Sequence, residues 1–175
     1  AWPWTDRPLY YAAIFDRDLD RIERWYRARG FYEARVVRVK RVPRRDDREI
    51  ELTVTVEEGK PVYVGKVTIN GIDALDSETR ERLKAAIGIE VGHRFDEALY
   101  DEAKRALLHA LREASYAKAN VQARVVVDPP KRRAVIEFDV TLGPACQFGR
   151  VSITGHGDLS ARAIWGAADL REGAP

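Results

Sequence analysis

The stretch Val67-Thr68-Ile69-Asn70-Gly71 returns as Val151-Ser152-Ile153-Thr154-Gly155, and that return sets how the chain divides. The spacing is 84 residues, and the pairs Gly59 with Gly143 and Gly65 with Gly149 keep it. A period of this size is one small domain, repeated. Upstream, Gly30-Phe31-Tyr32-Glu33-Ala34-Arg35-Val36 has its counterpart in Ser115-Tyr116-Ala117-Lys118-Ala119-Asn120-Val121. Phe15-Asp16 and Phe95-Asp96 stand 80 apart, which predicts a longer helix after Phe-Asp in the second copy.

The elements inside one repeat follow from hydrophobic period. Val62 to Asn70 reads as a strand ended by Gly71. Asp76 or Ser77 is placed to cap a helix through Ile87, with Leu83 and Ile87 on its inner face and Gly88 as the stop. Asp96 begins a second helix, where Leu99, Ala103, Ala106, Leu107, Ala110 and Leu111 keep the 3.6-residue period of a buried face. Ala119 to Val127 and Ala134 to Leu142 alternate as two strands around the loop Asp128-Pro129-Pro130-Lys131. Earlier, Val36 to Val42 and the alternating Ile50, Leu52, Val54 and Val56 form the matching hairpin. Strict alternation means a sheet with one face on helices and the other toward solvent.

The predicted fold class is therefore α+β, built of tandem β-α-α-β-β modules. Each is expected to be a three-stranded mixed sheet with two helices on one face. Residues 61–144 make one complete module. Residues 1–60 carry the second helix and hairpin of a preceding one, and 145–175 the first strand (Phe148 to Thr154) and first helix (Leu159 to Leu170) of a third.

Composition narrows the function classes. Of 175 residues, 45% are hydrophobic and 33% charged, and no run reaches the roughly 18 apolar residues of a membrane span. Thirty Lys and Arg against 28 Asp and Glu leave a formal charge of +2, which makes no case for nucleic acid. Cys146 is the sole cysteine, so no intrachain disulfide forms. The chain starts at Ala1 and has no Met, which reads as an excised or processed segment.

The ordered landmarks resemble POTRA (polypeptide-transport-associated) domains, the periplasmic modules of outer-membrane β-barrel assembly and surface-antigen proteins. The resemblance rests on Asp20-Arg21-Ile22 through Tyr26 into Gly30 to Val36, on Glu58-Gly59 and Leu142-Gly143-Pro144, and on Asn70-Gly71 and Thr154-Gly155. Ser115-Tyr116 departs from it, since the family pattern has Gly before the aromatic. It implies a non-enzymatic periplasmic portion of an outer-membrane protein, with no cofactor. The implied partners are unfolded outer-membrane or secreted polypeptides, periplasmic accessory proteins and a parent β-barrel in the outer membrane, and not nucleic acid. A scaffold docking fixed accessory or cell-division partners is the alternative, and a nucleic-acid-binding α/β module the remote one.

With the hairpin's last strand in the centre, the strand Ala119 to Val127 becomes an edge able to take up an extended peptide, with Ala119, Val121, Ala123, Val125 and Val127 as the peptide-binding residues. Val121, Ala123 and Val125 are expected to offer it shallow contacts. In the first copy, Arg35, Arg38, Lys40 and Arg41 read as edge protection. Gly59, Pro61, Gly143 and Pro144 mark short inter-module hinges with little slack. His93, His109 and His156 lack metal-ligand spacing, and neither a metal nor a catalytic residue is expected. Asp16-Arg17-Asp18-Leu19-Asp20 lacks the Gly and closing Glu of a calcium loop and reads as a helix start, while Arg44 to Arg48 reads as a solvated hairpin tip. Trp2, Trp4, Tyr10 and Tyr11 are core or an exposed patch.

Overall fold

A computed structural model describes residues 10–45, 49–147, 149–150, 152, 154, 160, 163–164 and 166. Trp2, Trp4, His156, the hairpin tip 46–48 and most of the expected third-module strand and helix lie outside these residues. The elements are α1 (Ala12–Ala28), β1 (Arg35–Arg44), β2 (Glu49–Glu57), β3 (Tyr63–Asn70), α2 (Ser77–Ile87), α3 (Glu97–Glu113), β4 (Asn120–Asp128) and β5 (Arg133–Thr141).

The repeat is tighter in space than its aromatic landmarks indicate. Helices α1 and α3 are both 17 residues long, and their ends stand 85 residues apart. The expected length difference is therefore absent. Phe15 lies inside the first turns of α1, whereas Phe95 precedes α3, so the two are not counterparts. Beyond the helices, β1 has 10 residues and β4 has 9. The surplus residue is a bulge between Val36 and Arg38, which leaves Val37 without a partner on β2 and reduces the spacing to 84 from there on.

The chain falls into two compact units, one of 1–66, 90–99 and 126–135 and the other of 67–89, 100–125 and 136–175. In the first, α1 lies against β1. The Glu23 carboxylate accepts the Val36 N–H at 2.9 Å and also holds Arg27 at 2.9 Å. Arg41 reaches from β1 back to α1, donating to the Tyr10 hydroxyl at 2.9 Å and standing 3.7 Å from Asp16. Antiparallel pairing of β1 with β2 puts Val36 with Val56, Val39 with Val54, Arg41 with Leu52 and Pro43 with Ile50 on one face. Arg35 pairs with Glu57 and Arg44 with Glu51, each at 2.7 Å. These exposed pairs contribute about 0–1 kcal/mol each.

Among the described residues this first sheet has two strands, β1 and β2, where the complete module has three. One expectation is corrected here. Asp16 does not start a helix: α1 begins four residues earlier, where the Tyr11 carbonyl accepts the Ile14 and Phe15 N–H groups and no side chain caps.

In the second unit, Leu83 and Ile87 of α2, Ala103, Leu107 and Leu111 of α3, and Val121, Ile136, Phe138 and Val140 of the sheet are all buried, and the Tyr100 and Phe138 rings stack with their centroids 6.2 Å apart. Each large apolar side chain here contributes about 1.5–3 kcal/mol relative to exposure. Leu99, expected on the buried face of α3, lies in the helix's first turn and is instead 52% exposed. Strand order is β3-β5-β4, so the last strand of the hairpin is central in a mixed sheet. The caps form where the sequence places them. Asp76 accepts the Thr79 N–H at 2.9 Å and the Thr79 hydroxyl at 2.7 Å, and Gly88 ends α2 with φ 64°. Asp96 accepts the Ala98 N–H at 2.9 Å at the start of α3. Gly71, the landmark after Asn70, has φ +81°, and a Cβ there would stand 2.1 Å from the Val140 carbonyl oxygen. No other residue fits that approach.

Candidate functional site

With β5 central, β4 and β3 are the edges of the three-stranded sheet. An edge strand presents a row of backbone N–H and C=O groups that a further strand can pair with. Of the five residues expected at this edge, Ala119 immediately precedes β4, and Val121, Ala123, Val125 and Val127 lie within it.

Their side chains do something other than expected. Ala119 and Val121 are buried, Val121 at 4% exposure, and Ala123, Val125 and Val127 are half-buried. Val121 belongs to the module's own core and offers a peptide no shallow contact. The alternate residues Gln122, Arg124 and Val126 are exposed, Val126 at 58%. Arg124 is held by Glu137 of β5. What the edge presents is thus backbone, flanked on the outer face by one apolar side chain and one ion pair. An incoming strand would be bound by main-chain pairing, with little reading of its sequence.

The opposite edge differs. Its beginning is covered from the 92–94 turn: the Val64 N–H donates to the His93 carbonyl, the Gly92 N–H donates to the Val64 carbonyl, both at 2.8 Å, and Tyr63 bridges to Arg94. Further along, Val67 and Ile69 of β3 with Lys84 and Ile87 of α2 and Ile89 line a groove of about 210 Å³. Sequence reading placed Val67 and Ile69 in a strand and Ile87 on the inner face of α2, and overlooked this groove. Ile89, apolar immediately after the Gly88 stop, is the signal that could have marked it.

The four hinge residues are placed as follows. Gly59 has φ +70°, and a Cβ there would meet Glu33 Cβ at 2.8 Å. Beside it, Glu58 hydrogen-bonds the Tyr26 hydroxyl and so raises that phenol above its ordinary value. Pro61 is half-buried, and the next residue, Val62, is buried and donates its N–H to the Gly30 carbonyl at 2.9 Å. At the other connection Gly143 and Pro144 are exposed, and the Cys146 N–H donates to the Ser115 carbonyl at 2.7 Å. Val62 to Cys146 is 84 residues and Gly30 to Ser115 is 85, so one backbone hydrogen bond recurs at both connections.

Among the described residues, His, Cys, Asp and Glu form no cluster of three that could hold a metal ion. Among them, too, no helix is long and apolar enough to cross a membrane.

A sequence-family model, POTRA, described as "Surface antigen variable number repeat", matches residues 4–59 and again 62–143. The chain belongs to the POTRA family. Among solved structures, the POTRA3-5 segment of Haemophilus influenzae BamA superposes with a TM-score of 0.55 at 19% identity, covering 98% of this chain and 66% of that one. BamA from Haemophilus ducreyi lacking POTRA domains 1-3 gives 0.47 at 16% identity, over 80% of this chain and 25% of that one. POTRA1-3 of Omp85 from Anabaena gives 0.38 at 10% identity, over 79% and 61%. At these identities the first likeness establishes the fold that the POTRA module shares. The chain spans about two thirds of the first structure's length and a quarter of the second's. No curated protein sequence matches the chain.

Proposed function

We propose that this chain is the periplasmic polypeptide-binding portion of an outer-membrane protein assembly or translocation factor, and that it receives unfolded β-barrel clients by strand addition at β4. The observation that carries this reading is a POTRA module whose β4 edge is bordered by exposed Gln122, Arg124 and Val126. Main-chain pairing suits a receiver of many clients, because every extended polypeptide offers the same N–H and C=O groups at the same 4.8 Å strand spacing. No chemistry is required of the module, which holds its edge open and passes the client to the parent β-barrel. The connections at Gly59, Pro61, Gly143 and Pro144 bend little, so successive edges keep their order along the arm.

The test is a titration of the isotopically labelled chain with peptides taken from outer-membrane β-strands. Backbone amide shifts concentrated in Asn120–Asp128 and its neighbour β5 are expected. Shifts concentrated instead on Val67, Ile69, Ile87 and Ile89 would move the site to the groove on the other edge. No shifts at millimolar peptide would overturn client binding and favour docking of fixed accessory partners.

A further inference from the structure

Half of the 10 residues of β1 are Arg or Lys, and the fold does not neutralise them alike. Residues opposite one another in an antiparallel pair share a face. Arg35, Arg38, Lys40 and Arg44 of β1 therefore share one with Glu57, Thr55, Thr53 and Glu49 of β2, the reverse of the face that carries Val36, Val39 and Arg41. Arg35 is held by Glu57 and Arg44 by Glu51, each at 2.7 Å, and on the other face Arg41 is held by Tyr10 and Asp16. Arg38 and Lys40, both exposed, have no hydrogen-bond or ion-pair partner among the described residues. What stands opposite each is a threonine.

The second module puts carboxylates in those places. At the spacing of 84, Arg38 and Lys40 correspond to Gln122 and Arg124 of β4, and Thr53 and Thr55 to Glu137 and Asp139 of β5. Glu137 binds Arg124, and Asp139 accepts from the Asn70 amide at 2.7 Å. The complete module thus satisfies its own edge cation, whereas β1 presents two unmatched cations, two residues or about 7 Å apart along the strand. The contrast does not turn on which further strand the first sheet takes up. β3 joins the complete sheet beside β5, so a strand placed likewise would join β2 and leave β1 at an edge, as β4 is. At the beginning of β1, Glu23 takes the Val36 N–H and the bulge at Val37 interrupts the ladder, so an added strand would run from Arg38 onward.

We infer that β1 docks an extended acidic segment of a partner protein, in which carboxylates at alternate residues meet Arg38 and Lys40 as Glu137 meets Arg124. Alternate residues of a strand point to one face, which fixes the spacing at two. Such an edge selects by repulsion as well as attraction, since a basic strand would meet like charge at both positions. Glu49, Glu51 and Glu57 flank the two cations, so a broad anionic surface such as a bilayer would meet these carboxylates together with the cations, whereas a single strand along β1 meets the cations alone. The surface is separate from the client edge on β4 and does not rest on that reading.

The test titrates the isotopically labelled full chain with a short peptide of alternating threonine and glutamate, with its threonine–glutamine counterpart, and with phosphatidylglycerol vesicles. Amide shifts concentrated in residues 38–44 and at Thr53 and Thr55 are expected with the glutamate peptide, fading as salt is raised, and much smaller ones with the glutamine peptide. Thr53→Glu combined with Thr55→Asp gives β1 the carboxylates of the second module, and is expected to weaken binding by roughly threefold to tenfold, as for the loss of two exposed ion pairs. Arg38→Gln combined with Lys40→Gln should have the same effect from the other strand, and amide spectra outside β1 and β2 report that each variant keeps the fold. Equal binding of the glutamine peptide overturns the inference, as does binding that is unchanged in both double variants. So do shifts on β1 that the vesicles produce and the peptide does not, or no binding of any probe. Shifts confined to β4 would support the client edge and overturn this one.

Discussion

Replacing Gly30 by alanine tests how closely the aromatic turn of the first repeat is fitted to the beginning of the second. Gly30 has φ +88°, and a left-handed conformation costs an L-residue about 1–2 kcal/mol. The added Cβ would also stand 2.6 Å from the Phe95 carbonyl oxygen and 3.3 Å from that of Val62, where contacts under 3.0 Å essentially never occur. The backbone must open by at least about 0.4 Å, and close packing passes that displacement on to its neighbours. Those neighbours are the Val62 N–H to Gly30 carbonyl and Phe95 N–H to Val62 carbonyl bonds, both 2.9 Å, with Arg94 lying over the Phe31 ring. Weakening one such bond costs about 1 kcal/mol, which brings Gly30→Ala to about 2–3 kcal/mol. Gly88→Ala is the control. Its φ is +64° but nothing lies within 4 Å of the new Cβ, so it carries the conformational cost of about 1–2 kcal/mol alone. Urea denaturation of both variants measures the difference. If Gly30→Ala costs no more than Gly88→Ala, the turn is not tightly fitted and the reasoning fails. Ser115, the counterpart of Gly30, carries its Cβ at φ +75°, so the second connection is not closed by a glycine.

Two further outcomes are expected. Ile136→Ala in β5 should lose about 2–5 kcal/mol by urea denaturation, and Leu52→Ala, its partly exposed counterpart on β2, no more than about 0.5 kcal/mol in dilute solution; equal losses would mean that β2 is covered as β5 is. Hydrogen bonds from the Thr79 N–H and hydroxyl hold the Asp76 carboxyl below its ordinary value of 3.8, so its stabilisation is complete above that pH and fades as pH falls through the lowered folded value. The Tm difference between the unmodified chain and Asp76→Ala should be constant near neutrality and shrink below pH 3.8, and a gap that widens there would contradict the cap.

The register of 84, the order of elements and the caps of α2 were all legible in the chain, because each depends on local chemistry or hydrophobic period, whereas the central place of β5 came with the family resemblance. Alternation at Ile136, Phe138 and Val140 is the pattern of an inward face wherever the strand is placed. The helix start was misread because Asp16 and Asp18 look like caps, yet Tyr11 begins α1 through backbone bonds alone. The aromatic pair Phe15 and Phe95 misled for a related reason: similar residues need not occupy similar positions when one lies inside a helix and the other before it.

Sequence alone thus determined that this is a repeated α+β module and where its strands and helices fall, since period and capping are properties of neighbouring residues. Tertiary structure decided what those elements expose. It turned Val121 into the core and left Val126 outside, opened a groove along Val67 and Ile69, and left Leu52 and Trp25 partly uncovered while Ile136 and Leu107 are sealed. Burial depends on what lies opposite a residue in space, and two strands with the same alternation differ in it when, among the described residues, one has a neighbour on both sides and the other on one.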